Sequence, residues 1–184
     1  MIRLIRKWLS TRRGSVLVET ALLLPLLLIL LLGGIEVSRM VMVTYKLQKT
    51  AGTVADLVSR QESVSTTTVD GIFEAIPHVM APFSLGINGL VTVSSVTGTA
   101  DGMIVNWQRA GGGDLVAVSG VGSVGGAATL PDGMVLREGV TAIASEIAYI
   151  YTPLFMPELQ LAGPIRFTAV YRPREGGLMT MEPS

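Results

Sequence analysis

The stretch GSVLVETALLLPLLLILLLGGI, residues 14–35, decides how the rest of the chain is read. Its twenty-two residues hold one ionisable side chain, Glu19. At ~1.5 Å of rise per residue, a helix from Ser15 to Ile35 spans roughly 32 Å, close to the hydrocarbon thickness of a bilayer. A carboxylate in such a segment costs about 2.5–3.5 kcal/mol at mid-membrane and less near an interface. Glu19 therefore needs a reason beyond anchoring. Working outward, residues 1–14 carry Arg3, Arg6, Lys7, Arg12 and Arg13 and no acid. Basic residues beside a membrane span favour the cytoplasmic side, which places residues beyond Ile35 on the far side.

A basic leader, a Gly, an apolar helix and a Glu five residues later resemble a prepilin of the type IV pilin-like superfamily. The resemblance implies cleavage by a membrane prepilin peptidase between Gly14 and Ser15, and a role for Glu19 in assembly. Glycine suits such a cut because a residue without Cβ is easily drawn extended into a cleft. Three other readings fit the same stretch: a secretory signal cut near Gly34, a plain anchor that keeps its leader, and a Glu19 that merely snorkels to headgroups.

Beyond Ile35 the helix is expected to continue to residue 60. Val37, Met40, Val41, Thr44, Leu47, Ala51, Val54, Ala55 and Val58 recur at spacings of three and four, an apolar stripe. Glu36 with Arg39, and Asp56 with Arg60, stand at pairing distance along a helix. Pro25 cannot donate to the carbonyl of Ala21, so a kink is expected there. Gly33-Gly34 is a second soft point.

The formal net charge of zero hides a split. Five of the fourteen basic residues lie in the leader, leaving nine against fourteen acids, or −5, in residues 15–184. That argues against a nucleic-acid partner. The chain has no cysteine and one histidine, His78, so no metal site, no cofactor and no thiol nucleophile is expected. Gly120, Gly122 and Gly125 fit a phosphate-loop spacing, but Pro131 follows where a helix should open. Asp101, Asp114 and Asp132 sit beside glycine, which is turn chemistry. Glu146, inside a predicted strand, is expected to be paired or solvated. Nothing here points to an enzyme.

Residues 61–89 read as a linker and a short helix, with Thr67 and Asp70 at capping-box spacing and Pro77 ending or kinking it. Residues 90–108 read as a hairpin turning at Asp101-Gly102, since Met103, Val105 and Trp107 alternate with Ile104, Asn106 and Gln108. Gly111 to Gly133, with eight glycines, reads as a long surface loop with one short strand at Leu115 to Val118. Val140 to Thr152 reads as a long strand with Ile143, Ile147, Tyr149 and Tyr151 on one face. A loop from Thr152 to Pro164 leads to a last strand through Ile165, Phe167, Ala169 and Tyr171. The expected fold is α+β: leader 1–14, long helix 15–60 with its membrane segment 15–35, linker and short helix 61–89, antiparallel β-rich exported domain 90–174, and flexible tail 175–184.

The residues Arg13-Gly14-Ser15-Val16, Glu19, the Leu-Pro-Leu around Pro25 and Lys46-Leu47-Gln48 narrow the resemblance to TadE-like proteins, minor pilins or pseudopilins of the Tad (Flp) pilus system. Leu130-Pro131-Asp132-Gly133, the run Tyr149-Ile150-Tyr151-Thr152-Pro153-Leu154-Phe155 and Arg172-Pro173-Arg174 are similar to that family's exported part. Thr20 stands where major Flp pilins usually have Tyr, which suits a minor component. The resemblance implies a bacterial inner-membrane location before assembly, then a place in the pilus, and a part in surface adherence. It also implies minor and major pilins, a prepilin peptidase, an inner-membrane assembly platform and membrane lipid as partners. The alternative from another class is a single-span envelope protein that keeps its leader and binds a ligand.

Overall fold

A computed structural model describes residues 12–174 and 178–182. Helix α1, Arg12–Ser59, is followed by a two-residue strand β1, Val64–Ser65, and by helices α2, Thr66–Glu74, and α3, Ile76–Met80. Strands β2, Gly89–Thr99, β3, Gly102–Gly111, β4, Thr141–Tyr149, and β5, Ile165–Tyr171, form one antiparallel sheet in the order β3-β2-β4-β5. Strand β6, Met181–Glu182, pairs in parallel with β1. The α+β architecture is the one the sequence implies, a long helix followed by a small domain.

The chain divides into two compact units. One takes in the helix through Met40 together with Thr152–Gln160; the other takes in Val41–Tyr151 and the chain from Leu161 onward.

In the second unit, the part of α1 from Val43 to Val58 is amphipathic. Val43, Leu47, Thr50, Ala51, Val54, Ala55 and Val58 are all buried. The stripe is shifted from the expected one at its start: Val41 is exposed and Val43 takes its place. Asp56 and Arg60 do pair, 2.5 Å apart. Helix α2 is capped by Ser65, whose hydroxyl accepts from the Thr68 amide at 3.2 Å. The expected capping box at Thr67 and Asp70 is thus displaced by two residues. Asp70 is used elsewhere, in a two-bond fork from Arg109 on β3. Pro77 opens α3 from its first turn, where its missing amide leaves no bond unmade.

The hairpin β2–β3 has Ala100 and Asp101 as its turn residues, with Gly102 already paired to Thr99. The turn therefore lies one residue earlier than Asp101-Gly102. Strand β4 is central and every one of its nine residues is buried. Ile143, Ser145, Ile147 and Tyr149 lie on one face by strand alternation, and Ala142, Ala144, Glu146 and Ala148 on the other.

The cover over that second face is the main departure from expectation. The glycine-rich segment is not a surface loop along its length, and Leu115 to Val118 forms no strand. Val121, Ala128, Leu130 and Leu136 are buried in a cluster with Val96, Val105, Ala142 and Ala144. Close backbone approach explains a glycine here: a Cβ on Gly98 would lie 2.3 Å from the Arg137 carbonyl oxygen.

The last described segment, residues 178–182, packs on the domain and pairs with β1. Leu178 is buried, and its carbonyl accepts from Ser95 Oγ at 2.7 Å and from Trp107 Nε1 at 3.0 Å. An indole N–H inside a core needs an acceptor, and the end of the chain supplies it.

Candidate assembly and membrane site

In the first unit, the helical backbone runs through Gly14, Ser15, Glu19 and Pro25 without interruption. Pro25 lies inside the helix, not at an end. Every side chain from Val16 to Leu31 is exposed, Glu19 included. The helix is long and apolar enough to cross a membrane, and none of its most apolar window is buried. A soluble core helix would be covered by its own chain; this one is not. Thr20 folds its hydroxyl back onto the Val16 carbonyl at 2.8 Å, which removes its polar group from the helix surface.

The burial begins at Glu36, the first charged residue after the leucine run, only 1% exposed. Its Oε2 accepts from the amides of Leu154 and Phe155, each at 2.9 Å. Two N–H donors on one carboxylate oxygen are charge-assisted bonds, roughly twice as strong as neutral ones. A turn below, Gly33 faces Met156: a Cβ on Gly33 would sit 3.5 Å from the methionine methyl carbon. The loop Thr152–Gln160 is thereby fastened to the helix at residues 33–36. Sequence reasoning missed this junction. The signal available was a Glu directly after an apolar run, together with a Pro-bounded segment whose amides lack strand partners.

The other singled-out carboxylate, Glu146 on β4, is buried and fully engaged. Arg166 Nη1 approaches its Oε1 at 2.5 Å, while Ser119 Oγ and the Gly120 amide donate to Oε2 at 2.7 and 2.8 Å. It locks β4 and β5 to the glycine-rich cover. The arrangement is a structural ion pair; no histidine stands with the Ser119 hydroxyl. His78 is exposed on α3. Asp132 adopts φ 55, the left-handed turn geometry that Asp tolerates. Among the described residues, no group of three His, Cys, Asp or Glu could hold a metal ion.

Two surface carboxylates are held below their ordinary range. The hydrogen bond from Arg109 lowers Asp70, against a smaller opposing effect of burial, with the Arg109 charge assisting. Asp56 is lowered first by its hydrogen bond from Arg60, with burial opposing and the charges of Arg60 and Arg174 assisting.

One exposed apolar helix among the described residues fits a membrane anchor, and it continues into an amphipathic half followed by an α+β domain. Among known families, the one described as TadE-like protein matches residues 14–56, the long helix, in agreement with the resemblance drawn from Gly14, Glu19 and Pro25. The match is a likeness of the long helix to that of TadE-like proteins. It covers under a third of the chain and none of the sheet. No curated protein and no solved structure matches.

Proposed function

We propose that this chain is a non-enzymatic minor pilin or pseudopilin of a Tad (Flp) pilus, processed by a prepilin peptidase between Gly14 and Ser15. In this reading it takes part in a priming or tip complex for surface adherence. The observation that carries it is the extent of the family match, which begins at Gly14 and runs through most of the amphipathic half of α1, to Asp56.

Cleavage creates an amine on Ser15, four residues and about 6 Å of helix from Glu19. In an apolar setting a carboxylate and an amine attract with little screening, and burying either alone costs several kcal/mol. Glu19 of an incoming subunit therefore seeks the Ser15 amine of one already placed. Because desolvation offsets much of that attraction, the pair sets axial register more than it adds stability. Pro25 lets the helix loosen at Ala21 as the subunit leaves lipid.

The test has two parts. Intact mass from the native membrane should show loss of residues 1–14; a retained leader supports the envelope-anchored ligand-binding alternative, and a cut near Gly34 a secretory signal. Glu19→Ala should insert and be cleaved as wild type, yet fail to co-purify with its pilin partners. Glu19→Gln should be intermediate at best. Normal partner recovery by the alanine variant at equal expression would return Glu19 to a snorkelling role.

A further inference from the structure

We propose that the loop Thr152–Gln160 is a second membrane contact, an apolar collar that enters the lipid interface beside α1. The proposal rests on the reading of residues 16–35 as a membrane-crossing segment, and it adds a surface outside the region the family match covers.

The collar is apolar and bare. Leu154 is 62% exposed, Phe155 47% and Leu159 39%, with half-buried Pro153 before them and half-buried Met156 among them. Glu158 is the one charged side chain in the loop. Exposed singly, such residues need no explanation; grouped within six positions, they ask what covers them.

Position supplies the answer. The bonds from Leu154 and Phe155 to Glu36, and the contact of Met156 with Gly33, hold the loop at the last turn of the apolar helix. The apolar run ends at Ile35. The collar thus lies at the depth where hydrocarbon gives way to headgroups, continuous with the lipid-facing surface of α1. An aromatic and aliphatic group at that depth has the composition of an interfacial anchor.

The backbone is prepared for it. Irregular backbone is costly in lipid because its N–H groups lose water. Glu36 accepts from the two amides that flank the exposed Leu154 and Phe155 side chains, so those amides need no water. Glu36 in turn is the first residue able to sit at the boundary, its charge held by the donors it satisfies. Glu36 acts here as a positioning residue for the collar.

The chain contains no cysteine, so one introduced thiol can be labelled uniquely. Full-length protein would be reconstituted in phosphatidylethanolamine–phosphatidylglycerol vesicles with a nitroxide at Leu154→Cys or Phe155→Cys. Leu27→Cys serves as the lipid reference and Val116→Cys, at a fully exposed valine, as the water reference. Collision rates with oxygen and with a water-soluble nickel chelate give the depth. The collar labels should resemble Leu27→Cys in favouring oxygen over nickel, at a shallower depth. Adding Glu36→Gln should shift the Leu154 label toward the Val116 pattern.

A collar label with the water pattern, while Leu27→Cys keeps the lipid pattern, overturns the collar and leaves the membrane helix standing. A collar label shielded from both reagents also overturns it, because protein then covers the surface. A water pattern at Leu27→Cys removes the membrane reading itself, and the collar with it.

Discussion

The two halves of α1 share one backbone and opposite surroundings. From Val16 to Leu31 every residue is exposed although nearly all are apolar; from Val43 to Val58 a stripe is buried while Tyr45, Gln48 and Lys49 face out. Secondary structure alone does not separate them, since both are uninterrupted helix. Patterning does. A helix that is apolar all round has no preferred face, so its chain cannot cover it and the surroundings must. A helix with a stripe of three-and-four spacing can be covered by its own domain. The lesson is that one half carries the folding information of the domain and the other carries its address.

The largest contrast is expected from truncating a leucine in each half. Leu47 is fully buried, and Leu47→Ala should destabilise the domain by about 2–5 kcal/mol. Leu27, 58% exposed, should give almost no change on Leu27→Ala. Denaturant unfolding followed by fluorescence of buried Trp107 measures both. Equal losses would mean that the leucine half is part of the folded core.

Pro25 sharpens the comparison from inside the exposed half. Pro25→Ala restores an amide that can bond Ala21, and a proline in a water-exposed helix interior costs about 3 kcal/mol relative to alanine. The gain in lipid should be smaller. Hydrogen exchange at residues 21–25 should slow in the variant, while exchange from Leu47 to Val58 stays unchanged; under the proposed processing, the variant should be cut after Gly14 as wild type is. Identical exchange at 21–25 in both forms would leave Pro25 without the loosening role.

The smallest effect is expected from Asp70, in the domain that buries the other half. Its folded-state pKa is lowered from 3.8 by Arg109. The contribution of the pair is therefore present above the unfolded value and disappears as pH falls through the folded one. Asp70→Asn should be slightly less stable than wild type near neutral pH; the gap should begin to narrow as pH falls below about 4 and close only in stronger acid, below the lowered folded-state value. A gap that persists in acid would point to packing of α2 in place of charge.

What could be read from the sequence follows from where patterning is regular. Glu19 alone among twenty-two residues, the stripe through Leu47 and Val58, and the alternation from Met103 to Gln108 each obey one period, and each element formed. The glycine-rich cover obeys none: Val121, Ala128, Leu130 and Leu136 are spaced irregularly, and only the tertiary fold tells them from exposed Val116 and Val118. The cap of α2 slipped because Ser65, Thr66, Thr67 and Thr68 all offer a hydroxyl, and backbone geometry chooses among them. The Glu36 junction links residues far apart in sequence, so no local pattern announces it. Gly14, Glu19 and Pro25 could be singled out from the sequence; the collar at Leu154 and Phe155 was visible only as a run of letters.

The clasp at Leu178 sets an order in time. Ser95 and Trp107 are paired with a carbonyl that lies 83 and 71 positions later in the chain. During synthesis the hairpin β2–β3 is complete long before that carbonyl exists. Until then, burying the indole N–H carries the cost of an unpaired donor, about 1–3 kcal/mol. The finished core around Trp107 therefore draws on a carbonyl 71 positions downstream, so a shortened chain lacking Leu178 keeps every long strand and loses this acceptor.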